Sequence, residues 1–215
     1  MIMKKLFVLL LALTLLLCSC SGGNKFKPTE DGTGYVDTKN DRTYVMLDIA
    51  FESGAIGAVV GEYSRRGEED PLVFYEITDL EPSLYLADED RNVYYAGATL
   101  PDASAWRVDK ILLCEGSDGD IARLSFTEAT HGTVISRIRN LWFEGEEVPF
   151  LSLTAATKMY SIKLASPDYP NLYYCFSFLY YEGGTSYFYN SISHRAVVVP
   201  TDLVELLRSA EVVAE

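Results

Sequence analysis

Apolar and polar residues alternate along most of this chain, in short runs with a period of two that glycine, proline or charge clusters separate. From residue 43 the series Val45, Leu47, Ile49, Phe51 against Tyr44, Met46, Asp48, Ala50 predicts a strand with one face inward. Ser53-Gly54 interrupts it, and 55–63 reads as a second strand. Further strands are expected at 72–77, 93–95, 108–115, 121–126, 160–164, 172–181, 186–190 and 195–199; 79–86 fits a short strand or a helical turn equally, and 102–106 a single helical turn. Residues 64–71 and 144–147 are charged loops, and 116–120 is a turn.

The period changes once in mid-chain. Val134, Ile135, Ile138, Leu141 and Trp142 form one stripe of an amphipathic helix over about 133–143, with Arg137, Arg139 and Asn140 on its wet side. A second helix follows Pro200, with Thr201 as N-cap, Asp202 in its first turn and Leu203, Leu206, Leu207 and Ala210 on one face. Roughly ten strands with one mid-chain helix and one C-terminal helix predict an α+β fold of mainly antiparallel sheet. The globular domain is expected at 35–215, and the change of period leaves open two subdomains at about 35–127 and 128–215.

The first twenty residues follow another rule. Lys4 and Lys5 precede an apolar run over 6–17, the length of a signal-peptide core and short of the roughly 20 residues a spanning helix needs. The run ends in Leu17-Cys18-Ser19-Cys20. That tetrad resembles the lipobox of bacterial lipoproteins, in which an aliphatic residue and two small ones precede a cysteine that is lipidated and becomes the mature N-terminus. The resemblance implies a lipoprotein signal peptide at 1–19, a lipid on Cys20, and an extracytoplasmic body anchored to the bacterial cell membrane, with the bilayer as its partner. Two acyl chains on one cysteine hold a protein stably where one would not. Cys18 departs from the usual second position, and a secretory leader cut after a small residue is the alternative. Residues 20–34, rich in Gly, Ser and Thr, are expected to be the lipidated Cys20 and a flexible tether.

Charge narrows the partners. The whole chain carries a net charge of −13, and without Lys4 and Lys5 the body sets 16 basic residues against 31 acidic ones, or −15. Such a body repels nucleic acid, so none is expected as a partner.

Few chemistries have their residues. There is no Gly-x-Ser-x-Gly, His-Glu-x-x-His, Cys-x-x-Cys or P-loop, and His131 and His194 are the only histidines. Cys175 and His194 are the one thiol–imidazole pair that a shared hairpin could approximate, yet Cys175 lies in an apolar run that favours an inert thiol. Cys114 and Cys175 are read as reduced core residues, with a bridge across their loop as the alternative. Asp88, Asp90 and Asn92 have the spacing of the first calcium-loop ligands, but Val93 and Thr99 stand where that loop needs Gly and Glu, so a turn of solvated charges is expected. Gly57-x-x-x-Gly61 lacks the apolar flanks of a membrane helix and reads as a bulge or close approach in a sheet. No catalytic residue, cofactor or metal site is assigned.

One stretch remains as a candidate binding surface. Eight of the fifteen tyrosines lie between Tyr160 and Tyr189. A two-residue turn at Gly183-Gly184 sets Tyr180 against Tyr187 and Phe178 against Tyr189, so that these four share one face with Phe176 and Tyr174. That face is either core beneath a helix or an exposed stacking platform for sugar rings. The functional expectation is a non-enzymatic protein-interaction module of the cell envelope. Its alternative is a lipoprotein that binds a small ligand, a sugar or a peptide, on this platform.

Overall fold

The computed structural model describes residues 24–64, 70–99, 102–116, 122–149 and 155–209. The leader and Cys20 lie outside them, as does most of the expected turn at 116–120. The chain is α+β and mainly antiparallel, with one mid-chain and one C-terminal helix.

Eight strands come first: β1 (Asn24–Pro28), β2 (Gly34–Asp37), β3 (Arg42–Leu47), β4 (Ala50–Phe51), β5 (Ile56–Tyr63), β6 (Leu72–Ile77), β7 (Tyr85–Asp88) and β8 (Val93–Tyr95). Seven of them close a barrel in the order β1-β2-β3-β8-β7-β6-β5, sealed by the parallel pairing of β1 with β5 at Asn24↔Gly61 and Lys25↔Glu62. Phe26, Tyr44, Leu72, Phe74, Leu86 and Tyr94 fill its interior. The rings meet tilted or edge-on, Phe26 to Phe74 at 4.4 Å and Phe74 to Tyr94 at 5.5 Å, as ring quadrupoles favour.

The barrel corrects two expectations. Residues 24–28 are a strand where a tether was expected, because Phe26 is buried between the outward Lys25 and Lys27, a period of two too short to stand out in polar surroundings. The single strand expected from residue 43 breaks at Asp48 into β3 and β4. Tyr44 points into the barrel, while Leu47 packs outside it, so both faces are used.

Two buried carboxylates hold the hairpin turns. Asp37 accepts from Asn24 Nδ2, Asn40 Nδ2 and the backbone N–H groups of Lys39 and Asn40; Asp88 accepts from Asn92 through both backbone and side chain, and from the Tyr94 hydroxyl at 2.8 Å. The turn at 88–92 is therefore anchored by its first residue, with Glu89 and Asp90 exposed. Buried charge is tolerated here because donors satisfy it.

After a 3₁₀ turn at Ala103–Ala105 the second sheet is built from β9 (Lys110–Glu115), β10 (Ala122–Thr127), β11 (Lys158–Ala165), β12 (Leu172–Tyr180), β13 (Tyr187–Tyr189) and β14 (Ala196–Val198), in the order β10-β9-β11-β12-β13-β14. The change of sheet thus falls between Tyr95 and Lys110, ahead of the change of period near 127. Strand β4, which lies off the barrel path, also joins this sheet, Phe51 pairing with Leu172. Helix α1 (Glu128–Glu144) is broken at His131 (φ −134°, ψ 27°), so its regular part begins where the apolar stripe does. Helix α2 (Thr201–Ser209) starts at Thr201, and the N–H groups of Leu203 and Val204 bond the Pro200 carbonyl.

One core serves both sheets. Phe51 of β4 and Ile77, Tyr85 and Val93 on the outside of the barrel join Ile111, Leu113, Ile162 and Leu164 of the second sheet and Ile135, Ile138 and Trp142 of α1.

Barrel closure depends on Gly61, at the end of the expected bulge, where register shifts flank Val59. A Cβ there would stand 2.2 Å from the Asn24 carbonyl oxygen and 2.7 Å from the Phe26 ring. Gly61→Ala is expected to cost about 2 kcal/mol, in the range of core overpacking, read as a lowered urea midpoint. An unchanged midpoint would mean that the β1–β5 seam does not support the fold.

Candidate functional site

The aromatic run on β12 takes two fates, decided by the turn that follows it. The turn spans four residues: the Gly184 N–H bonds the Tyr181 carbonyl, and Gly183 alone takes positive φ, at +69°. The expected two-residue turn would be centred on Gly183-Gly184, whereas this one is centred on Glu182-Gly183. The register therefore shifts by one, to Ser177↔Tyr189, Phe178↔Phe188 and Leu179↔Tyr187. A slip of one residue reverses the returning strand, so Phe188 joins Phe176 and Phe178 while Tyr187 and Tyr189 pass to the opposite face.

The six-residue platform consequently does not form. Phe176, Phe178 and Tyr180 are buried and Tyr174 is half-buried on the face that packs against α1. Trp142 of α1 lies flat on Phe176, with centroids 4.4 Å apart and planes 5° apart, and donates its indole N–H to the Tyr174 hydroxyl at 3.1 Å. Phe188 meets Phe176 and Phe178 edge-on. Arg195 holds the end of α1 by donating to the Trp142 and Gly145 carbonyls and pairing with Glu147.

Tyr180 sits at the rim of this face. The Arg208 guanidinium of α2 lies 4.1 Å above its ring and donates to its hydroxyl at 2.7 Å. Beside this pair is a cleft of about 440 Å³ between the hairpin turn and α2, where the hydroxyls of Thr185, Ser186 and Thr201 converge with Glu205 and Arg208. Opposite charges and hydroxyls in an open cleft suit a polar ligand such as a peptide or a glycan.

The other face of the sheet carries Tyr187 and Tyr189. One row crosses four strands there, Met159 to Leu179 to Tyr187 to Val198, and Val198 also lines the cleft. Met159 and Val198 are each 39% exposed, and Ile192, in the loop after β13, is 70% exposed. Sequence reading missed this row because it depends on the hairpin register. Each of its members sits in a different strand.

On the same face Cys114 pairs with Ser161, and Cys175 with Lys163, so β11 lies between the two thiols. Two strand spacings put their backbones about 10 Å apart, beyond disulfide reach, and neither cysteine is in a disulfide. The Cys175 thiol contacts the Tyr173 carbonyl, whereas His194 meets the Tyr189 hydroxyl, so the structure does not bring thiol and imidazole together. Among the described residues no group of three or more His, Cys, Asp or Glu could hold a metal ion. No family model matches the chain, and comparison with curated proteins and with solved structures gave no match.

Two outcomes follow. Tyr180→Ala is expected to destabilise by about 3 kcal/mol, as large-to-small core changes do, and Tyr187→Ala by about 1 kcal/mol or less. Equal losses in chemical unfolding would mean that the register is wrong. Burial pushes the Cys175 thiol from 9.0 up to about 12. Because the folded state favours the neutral thiol, this contribution is complete below pH 9 and is lost as pH rises toward 12. Between pH 9 and 10, below the ordinary range of tyrosine, stability should fall in the native chain and fall less in Cys175→Ala; identical slopes would refute the burial.

Proposed function

We propose that the protein is a lipoprotein, held extracytoplasmically on a bacterial membrane by a lipid on Cys20, and that its body is a non-enzymatic interaction module for another envelope protein. The leader residues 1–19 and the Leu17-Cys18-Ser19-Cys20 tetrad support the anchor. Among the described residues no helix is long and apolar enough to cross a membrane.

The observation that carries the module is the row Met159, Leu179, Tyr187 and Val198, whose ends are exposed and which runs into the cleft beside Arg208. An apolar strip beside a rim of hydroxyls and charges of both signs has the composition of a protein-binding surface. The partner that complements a body of net charge −15 is basic. A second reading comes from the cleft itself. Its volume and its hydroxyl lining fit a sugar or a short peptide.

Cys20→Ala is expected to move the protein from the membrane to the soluble extracytoplasmic fraction; persistence in the membrane would refute the anchor assignment. For the module, Met159→Glu with Val198→Glu is expected to shift the unfolding midpoint by about 1 kcal/mol or less, since both sites are exposed. The same pair should abolish recovery of the partner that wild type retains from detergent-solubilised envelope. Undiminished recovery would refute the row as the interface. A melting temperature raised by glycans or peptides in wild type, and not in Arg208→Ala, would favour the cleft as a small-ligand site instead.

A further inference from the structure

We propose that the barrel wall bearing Ile56 and Val59 docks on the surface of the bilayer that holds the chain, an inference that rests on the lipidation of Cys20 proposed above. Residues 53–61 contain no charge, in a chain in which 23% of residues are charged. The first four residues of β5 are exposed, with Ile56 at 43% and Val59 at 62%. The bulges around Val59 send Val60 toward the barrel interior and leave Val59 outside.

This wall is also where the anchor must attach. Strand β1 begins at Asn24, level with Gly61, two residues along β5 from Val59. At ordinary strand spacings the Asn24 and Val59 backbones are about 8 Å apart. Cys20 precedes Asn24 by four residues, a reach of at most about 14 Å by any path. The acyl chains therefore enter the membrane beside β1 and β5. So short a link holds the wall at an effective concentration of about millimolar or more relative to the bilayer, where even weak contact is populated.

Charge around the wall is mixed: Lys25 and Lys27 are exposed on β1, Lys25 is paired with Glu62 of β5, and the Glu76 side chain lies against Gly57. A headgroup surface without net charge therefore suits this wall better than an anionic one.

The test uses the lipidated protein in phosphatidylcholine vesicles with brominated acyl chains, comparing Val59→Trp on this wall with Met159→Trp on the second sheet. The native Trp106 and Trp142 are 4% and 1% exposed and give the same background in both. An indole at 59 should lie within about 10 Å of the acyl boundary and lose emission relative to non-brominated vesicles, while that at 159 should not. If Val59→Trp disturbs the bulge, Ile56→Trp reads the same wall. Equal quenching at 59 and 159, or none at 59 in protein that floats with the vesicles, overturns the docking and leaves the anchor standing. Failure of wild type to float, with Cys20→Ala behaving identically, overturns the anchor and the docking with it.

Discussion

One row of side chains along β12 holds the molecule together. Leu172, Tyr174, Phe176, Phe178 and Tyr180 point the same way at a spacing of two, and between them they meet five other elements. Leu172 pairs with Phe51 of β4, Tyr174 and Phe176 receive Trp142 of α1, Phe178 stacks on Tyr160 of β11 and meets Phe188 of β13, and Tyr180 lies under Arg208 of α2. Aromatic side chains bury large areas and constrain geometry, so one strand orders all five. Arg137 of α1 pairs with Asp202 of α2 at 2.8 Å, which ties the two helices to each other as well as to the row. That pair is exposed and contributes little beside the stacked rings.

The barrel solves a different problem. Its interior is small, and its strands are short, so closure leaves no slack at the seam. Gly61 permits the approach of β1 because it has no side chain, and Asp37 and Asp88 fix the hairpin turns by accepting from the backbone of the turn they begin. The outer surface then does what a second layer of helices does elsewhere. Ile77, Tyr85 and Val93 turn outward and complete the core of the other sheet, so the barrel wall is apolar on both sides over part of its circumference.

What could be read in advance follows from the range of each interaction. The stripe from Val134 to Trp142 and the alternation from Tyr160 to Leu164 are local, so α1 and β11 were legible, as was the α+β class. Residues 24–28 were not, since Phe26 is the single buried apolar residue of its strand and nothing nearby shows that it faces Phe74. The parallel seam joins β1 to β5 across 37 positions and leaves no mark in either segment. The aromatic hairpin was legible as a hairpin, yet its register rested on where the turn is centred, on Glu182-Gly183 instead of Gly183-Gly184. That one conformational choice decided whether Tyr187 or Phe188 entered the core, and with it the membership of every candidate site on the sheet.

The same strand that orders the core also sets the distance between the two proposed surfaces. Leu172 lies at the junction with the barrel and Tyr180 at the cleft, eight residue steps apart, or about 27 Å at the rise of an extended strand. The lipid proposed on Cys20, attached ahead of β1, would fasten the barrel end and leave the cleft and the row ending at Val198 toward the other end of that strand. Held there, the two would be open to another envelope protein while the barrel wall rests on the bilayer.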